Sequence, residues 1–249
     1  GARDPFGFRP LCIGKRENAY ILASESCALD TIGAEFIRDV EPGEIVTITQ
    51  DGIRSDKSMT GSKKARCIFE YIYFARPDSY IAMGFSLESG IPYGTAFVKN
   101  SYVGRTFIKP KQSARESSVM VKLNALREVV KGKRVVMVDD SIVRGTTSAR
   151  IVKMLKDAGA TQVHVRISSP PFLYPCYFGT DVPSSNQLIA YNHSVDEIAK
   201  MMDADSLGYL DLNRLNELID GDYGYCHACF SGEYPVEPPT DDIRGEYEH

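Results

Sequence analysis

Short apolar runs broken by turn residues mark the first part of the chain. Between residues 11 and 55, Tyr20 to Ala23 and Ile45 to Ile48 are separated by turn signals at Glu41-Pro-Gly-Glu44 and Gln50-Asp-Gly52. That spacing predicts antiparallel strands, with one helix over Ser26 to Ile37. After Lys63 the pattern changes to strands alternating with helices, the helices expected over Val119 to Lys131, Ser148 to Ala158 and Val195 to Met202. Such alternation fits a parallel sheet with flanking helices. Val135 to Val138 is short, β-branched and apolar, as a strand buried on both faces of that sheet would be, and Ile151, Val152, Met154 and Leu155 recur at helical spacing. The change of pattern predicts two domains, residues 1–62 and 63–249, with the boundary near 56–66. The stretch after Ser231, rich in Pro, Glu and Asp, predicts an extended end.

The turn between that strand and helix carries the densest chemistry. Asp139 and Asp140 stand at the carboxyl end of the strand, followed by Ser141 and then by Arg144, Gly145, Thr146 and Thr147 where the helix opens. Gly145 lets the backbone approach a ligand, the threonines offer hydroxyls, and the helix directs free N–H groups and its positive dipole end at the same spot. A phosphate monoester fits there. The two carboxylates can accept hydrogen bonds from neighbouring ribose hydroxyls or hold Mg²⁺. Phosphate, diol and metal together point to phosphoribosyl pyrophosphate. The plain alternative is a solvated loop with a helix cap. Neither the glycine pattern of a dinucleotide fold nor a Walker loop is present near this turn.

Composition narrows the classes further. The formal net charge of −4 over 249 residues, with no long run of one sign, gives no reason to expect nucleic acid or membrane partners. No apolar stretch approaches the roughly twenty residues that span a bilayer, and the whole fits a soluble cytoplasmic protein. A basic segment over residues 99–115, with Lys99, Arg105, Lys109, Lys111 and Arg115 among Gly, Pro, Ser and Gln, suits either a lid over a pyrophosphate leaving group or a solvated loop. Six cysteines occur, and Cys226 and Cys229 have the spacing of half a metal site. Four others, Cys12, Cys27, Cys67 and Cys176, are candidates for the other half, and pattern alone does not choose among them. Four thiolates suit a [4Fe–4S] cluster or tetrahedral Zn²⁺ equally well.

The motif over Val135 to Thr147 resembles the phosphoribosyl pyrophosphate loop of type I phosphoribosyltransferases. Together with Phe97 to Phe107, His164-Val-Arg-Ile-Ser-Ser-Pro-Pro171 and Cys226-His-Ala-Cys229, it resembles, in order and spacing, the glutamine phosphoribosylpyrophosphate amidotransferases that open purine synthesis. The resemblance covers nearly the whole chain. It implies an α/β type I phosphoribosyltransferase domain with a parallel sheet and flanking helices over 63–249, with a carboxyl-terminal tail pinned by a cluster. Residues 1–62 would be part of an α+β glutaminase domain of the amino-terminal-nucleophile kind. The implied activity is formation of phosphoribosylamine from phosphoribosyl pyrophosphate and glutamine-derived ammonia, with purine nucleotides as inhibitors, Mg²⁺ as cofactor and a homo-oligomeric assembly.

Residue by residue, the resemblance assigns Asp139 and Asp140 to ribose hydroxyls and Mg²⁺, Ser141 and Arg144 through Thr147 to the substrate loop, and Lys99, Tyr102 and Arg105 to a loop closing over substrate. It also chooses Cys67, Cys176, Cys226 and Cys229 as ligands of a [4Fe–4S] cluster of the bacterial type, with Zn²⁺ second. Cys12 and Cys27 fall outside that set and read as small buried residues. Two departures accompany the match. The family's amino-terminal cysteine nucleophile has no counterpart here, the first cysteine being Cys12. Between Arg76-Pro-Asp-Ser79 and Met83-Gly-Phe85, where family members carry several tens of residues including the pyrophosphate loop, this chain has only three. A fragment of a longer enzyme is the expected explanation, and a non-catalytic module that binds phosphoribosyl pyrophosphate or a purine nucleotide is the alternative.

Overall fold

The computed structural model describes residues 1–61, 63–73, 80–99, 123–179, 184–217 and 224–238. Its contacts group the chain into two compact units that interleave along the sequence. One holds Gly1–Tyr71, Cys176–Asp181 and Glu217–His249, and the other holds Ile72–Pro175 and Val182–Asn216.

In the first unit, β1 (Cys12–Arg16) lies between β2 (Ala19–Ala23) and β3 (Glu35–Asp39), antiparallel to both. Ile13 points to a small core with Val40 and Val46, the latter from β4 (Ile45–Thr49), which forms a hairpin with β5 (Gly52–Asp56). Cys12 points to a second core with Leu29 and Ala34. Leu29 comes from α1 (Ser26–Thr31), half the helix expected over Ser26 to Ile37. Gly33, at φ 67°, turns the chain in the left-handed region, its N–H donating to the Asp30 carbonyl at 3.0 Å. Phe36 and Ile37 then favour the strand that pairs with β1 over continued helix.

The unit is completed by β6 (Arg66–Cys67), which runs parallel to a two-residue strand near the other end of the chain, Tyr225–Cys226. Backbone bonds from Ala65 to Phe6 and from Cys67 to Phe8, 2.8 and 3.1 Å, tie β6 to the start of the chain. Phe8 stacks on Phe178 with ring centroids 4.3 Å apart, and Phe178 in turn meets Tyr234 edge-on. Helix α2 (Ile68–Tyr73) follows β6, and Arg9 forms an ion pair with Glu70 on it.

The second unit contains α3 (Tyr80–Ser89), the antiparallel pair β7 (Phe97–Lys99) and β8 (Leu123–Ala125), and a one-turn helix α4 (Arg127–Val130). The helix expected over Val119 to Lys131 is therefore replaced, within the described residues, by a strand and a single turn. Pairing of Leu123 to Ala125 with β7 claims the backbone groups that a longer helix would use. Three parallel strands follow, β9 (Arg134–Asp139), β10 (Gln162–Ile167) and β11 (Ser206–Tyr209), with β10 in the middle. Helix α5 (Thr146–Asp157) joins β9 to β10. A 3₁₀ turn (Ser185–Gln187), α6 (Ile189–Asn192) and α7 (Val195–Met201) precede β11, and α8 (Leu212–Glu217) follows it.

One face of this sheet packs on a core of Met137, Val163, Val165 and Ile167 with Val152 and Leu155 of α5 and Ile198 of α7. The other face carries Gln162, His164 and Arg166, all half-buried, with His164 and Arg166 both bonded to the Ser206 hydroxyl at 2.9 and 3.0 Å. The sheet is thus not apolar on both faces as expected from Val135 to Val138, and His164 belongs to a polar network. The other helices match the periodicity closely, because α5 and α7 each bury one apolar stripe. After α9 (Ala228–Ser231), which follows β12 (Tyr225–Cys226), no further element occurs among the described residues.

Candidate functional site

Asp139 ends β9, and the six residues from Asp140 to Gly145 turn the chain into α5 at the carboxyl edge of the parallel sheet, the edge where ligands bind in open α/β sheets. Gly145 is the N-cap of the helix, at φ 77° and ψ −14°. A left-handed residue here lets the loop swing directly into the helix, so Thr146 and Thr147 are its first two residues rather than part of the turn. Both threonines are exposed, and the first N–H groups of a helix have no intrahelical acceptor, the Gly145 carbonyl taking its bond only from Ala149 at 2.9 Å.

The two carboxylates are held by short local bonds. The Asp140 amide donates to Asp139 Oδ1 at 3.0 Å, and the Ser141 hydroxyl donates to Asp140 Oδ1 at 2.8 Å. The carbonyl of Asp139 accepts from the Ser168 amide at 3.0 Å, which fixes the end of β9 against the end of β10. Burial, aided by the neighbouring Asp140 carboxylate, pushes Asp139 up to about 6. Burial likewise raises Asp140, opposed by the bonds from Ser141. Two half-buried acids that resist ionisation side by side, next to a set of free helical amides, form an acceptor site for a cation or hydroxyls beside an anion site.

Of the expected substrate-site residues, Asp139, Asp140, Ser141, Arg144, Gly145, Thr146 and Thr147 lie together on this loop. Lys99 ends β7 in the same unit. Tyr102 and Arg105 lie outside the described residues. Sequence reasoning missed the segment Ser184–Asn192, which touches the loop at three consecutive residues. The Ile189 amide donates to the Val143 carbonyl at 3.0 Å, Arg144 Nη2 donates to Gln187 Oε1 at 2.8 Å, and Ile189 Cδ1 lies where a side chain on Gly145 would be. No local signal marks Gln187 or Ile189, because they are separated from the loop by more than forty positions and carry no motif.

The four expected cluster ligands fall in the other unit, all of them within it. Cys226 pairs with Cys67 across the parallel ladder, Cys229 lies in α9, and Cys176 accepts from the Phe178 amide at 3.4 Å. Cys176, Cys226 and Cys229 are buried and Cys67 is half-buried. Burial pushes the Cys226 thiol up to about 11, and the sulfurs of Cys67 and Cys176 add to the rise. Cys229 is raised as well, by burial and then by the other three sulfurs. Among the described residues no three or more His, Cys, Asp or Glu side chains are arranged to hold a single metal ion. Cys12 is buried and donates to the Ala23 carbonyl at 3.3 Å, whereas Cys27 is exposed, not buried as expected.

No family model matches the chain. Curated relatives do. The amidophosphoribosyltransferase of Archaeoglobus fulgidus is 48% identical over 284 residues, covering 98% of this chain and 62% of the relative. That of Bacillus subtilis is 45% identical, covering 97% and 60%, and the chloroplastic enzyme of Glycine max is 44% identical, covering 95% and 48%. The aligned length of 284 exceeds the 249 residues of the chain, so the first relative carries internal residues with no counterpart here. Among solved structures, the glutamine phosphoribosylpyrophosphate amidotransferase of B. subtilis complexed with ADP and GMP superposes with a TM-score of 0.79 at 46% identity, covering 96% of this chain and 62% of that one. A structure described as the allosteric regulatory enzyme of purine biosynthesis gives 0.81, again at 46% identity. Along nearly its whole length the chain is therefore similar in sequence and fold to amidophosphoribosyltransferases, while it spans less than two thirds of the length of these relatives.

Proposed function

We propose that this chain carries the phosphoribosyl pyrophosphate site of an amidophosphoribosyltransferase acting in purine synthesis. The observation that carries the reading is the strand-to-helix loop from Asp139 to Thr147, an acidic pair beside a glycine-capped helix start, in a chain 48% identical to such an enzyme. In this reading the 5-phosphate sits on the amides and hydroxyls of Thr146 and Thr147, with Arg144 beside it. Asp139 and Asp140 accept from the ribose hydroxyls or hold Mg²⁺, which would neutralise the pyrophosphate, and Ser141 keeps Asp140 oriented. The family resemblance assigns Lys99, which ends β7, together with Tyr102 and Arg105, which lie outside the described residues, to closing over substrate. Ammonia attacks the anomeric carbon, the C1–O bond to pyrophosphate breaks, and phosphoribosylamine and pyrophosphate form with release of one proton. Purine nucleotides, sharing the ribose phosphate, compete for the same loop.

Residues 1–62 are read as part of a glutaminase domain and 63–249 as the transferase domain, in a cytoplasmic homo-oligomer. Cys67, Cys176, Cys226 and Cys229 would hold a [4Fe–4S] cluster. The family resemblance, in which all four match ligand positions of such a cluster, supports this over zinc, and their place in one unit, with Cys226 paired to Cys67, is in keeping with it. The group would clamp the carboxyl-terminal segment to the rest of its unit.

A second reading is a module that binds phosphoribosyl pyrophosphate without turnover. It is favoured by the internal residues that the relatives have and this chain lacks. Calorimetric titration of anaerobically purified protein with phosphoribosyl pyrophosphate and Mg²⁺, followed by an assay of ammonia-dependent pyrophosphate release, separates the two. Binding with release supports the enzyme, binding without release the module, and no binding by folded protein ends both.

A further inference from the structure

We propose that Ser184–Asn192 is a positioning brace for the phosphate loop, in which Ile189 seats Gly145 and Gln187 aims Arg144. The proposal rests on the reading of the Asp139–Thr147 loop as a phosphoribosyl site. Three consecutive loop residues each have one contact to this segment. The carbonyl of Val143 accepts from the Ile189 amide, Arg144 donates to Gln187 at 2.8 Å, and a Cβ on Gly145 would stand 2.7 Å from Ile189 Cδ1.

The brace is itself built to be rigid. Leu188 is fully buried, and Ile189 is buried in the same core as Met137 and Val152 of the sheet and helix that flank the loop. The side-chain amide of Asn192 reaches back to the carbonyls of Asn186 and Leu188, both at 3.0 Å, and so locks the 3₁₀ turn to α6. Ser184 donates to Asn186 Oδ1 at 2.6 Å at the start of the segment. A left-handed glycine has many conformations open to it, so the loop needs something to select one. Ile189 does so by filling the space on one side of Gly145. Arg144, a long exposed side chain, loses less freedom on meeting a phosphate when Gln187 already holds its guanidinium. Neither brace residue touches the phosphate in this account, and each acts through a loop residue.

The test uses the full chain, ribose 5-phosphate as probe, and three variants. Gln187→Ala is expected to weaken ribose 5-phosphate binding roughly three- to tenfold with no change in melting temperature, since the bond is exposed. Gln187→Met keeps the length of the side chain without its amide acceptor and is expected to weaken binding as much as Gln187→Ala. Ile189→Val removes only Cδ1, and is expected to shift the Gly145 ¹⁵N resonance and to speed exchange of the Ile189 amide. Unchanged affinity in Gln187→Ala or in Gln187→Met overturns the role of Gln187. An unmoved Gly145 resonance in Ile189→Val overturns that of Ile189. Should the unmodified chain bind no ribose 5-phosphate, the phosphoribosyl reading fails, and the resonance and exchange measurements still decide whether the brace holds the loop.

Discussion

Two carboxylates in the chain have opposite relations to stability. Asp139 is pushed up to about 6 by burial and by Asp140, so the folded state holds its proton more tightly than the unfolded chain does. Stability from this group is fullest below the unfolded value near 4 and falls as pH rises through about 6. Asp139→Asn is therefore expected to raise stability at pH 7 by about 1–2 kcal/mol while abolishing most Mg²⁺-dependent binding of phosphoribosyl pyrophosphate, as read by thermal melts and calorimetry. An unaltered affinity would remove Asp139 from the site. Glu44 behaves in the other sense. It is fully buried and accepts two bonds from Arg38 at 2.9 and 2.7 Å and one from the Glu41 amide, and the Arg38 bonds hold it down to about 2. Its contribution is present above the unfolded value near 4.5 and disappears as pH falls towards 2. Arg38→Ala leaves the carboxylate buried and unpaired, which typically costs about 3–5 kcal/mol, and the loss should shrink in melts below pH 4 as Glu44 protonates.

Among the elements, those with a complete local code form where the sequence places them. α7 opens with a capping box in which Ser194 accepts from the Glu197 amide and Glu197 accepts from the Ser194 amide. Ser194→Ala should lower stability by about 1 kcal/mol without altering ligand affinity, measured by urea titration and calorimetry on one sample. A drop in affinity there would mean that α7 reaches the site through α6. α5 was legible from the spacing of Ile151, Val152, Met154 and Leu155, but it starts at Thr146, two residues before the expected Ser148, because Gly145 caps it directly. The helix expected over Ser26 to Ile37 was not, because the periodicity of that stretch is compatible with both states and the edge of β1 needed a partner. Pairing between β7 and β8 likewise joins residues far apart in sequence, and no local propensity encodes it.

Across the whole molecule, the chain leaves its first unit near residue 71, returns to it for Cys176–Asp181, and returns again after Glu217. Each return brings cysteine. The short middle visit is fixed by Phe178, stacked on Phe8 and edge-on to Tyr234, so Phe178→Ala is expected to destabilise this unit by about 3 kcal/mol. If Cys176 serves a cluster, the same change should lower the iron and sulfide bound per chain after anaerobic reconstitution. Retention of full iron content in that variant would show that the aromatic contacts do not set the position of Cys176. No helix among the described residues is long and apolar enough to cross a membrane.

The loop from Asp139 to Thr147 was readable because every part of it is consecutive: a strand, two acids, a glycine and a helix start specify their own geometry through local backbone preference. The sequence by itself likewise determined the alternation of strands and helices from Arg134 onward, though not the strand that replaces helix over Leu123 to Ala125. What only the tertiary structure decided is which distant segments meet. That Ile189 and Gln187 stand behind the loop, that one sheet face is lined by His164 and Arg166, and that Cys67 pairs with Cys226 all follow from burial and long-range pairing. Contacts of that kind are fixed by the whole core at once, so no window of neighbouring residues contains them.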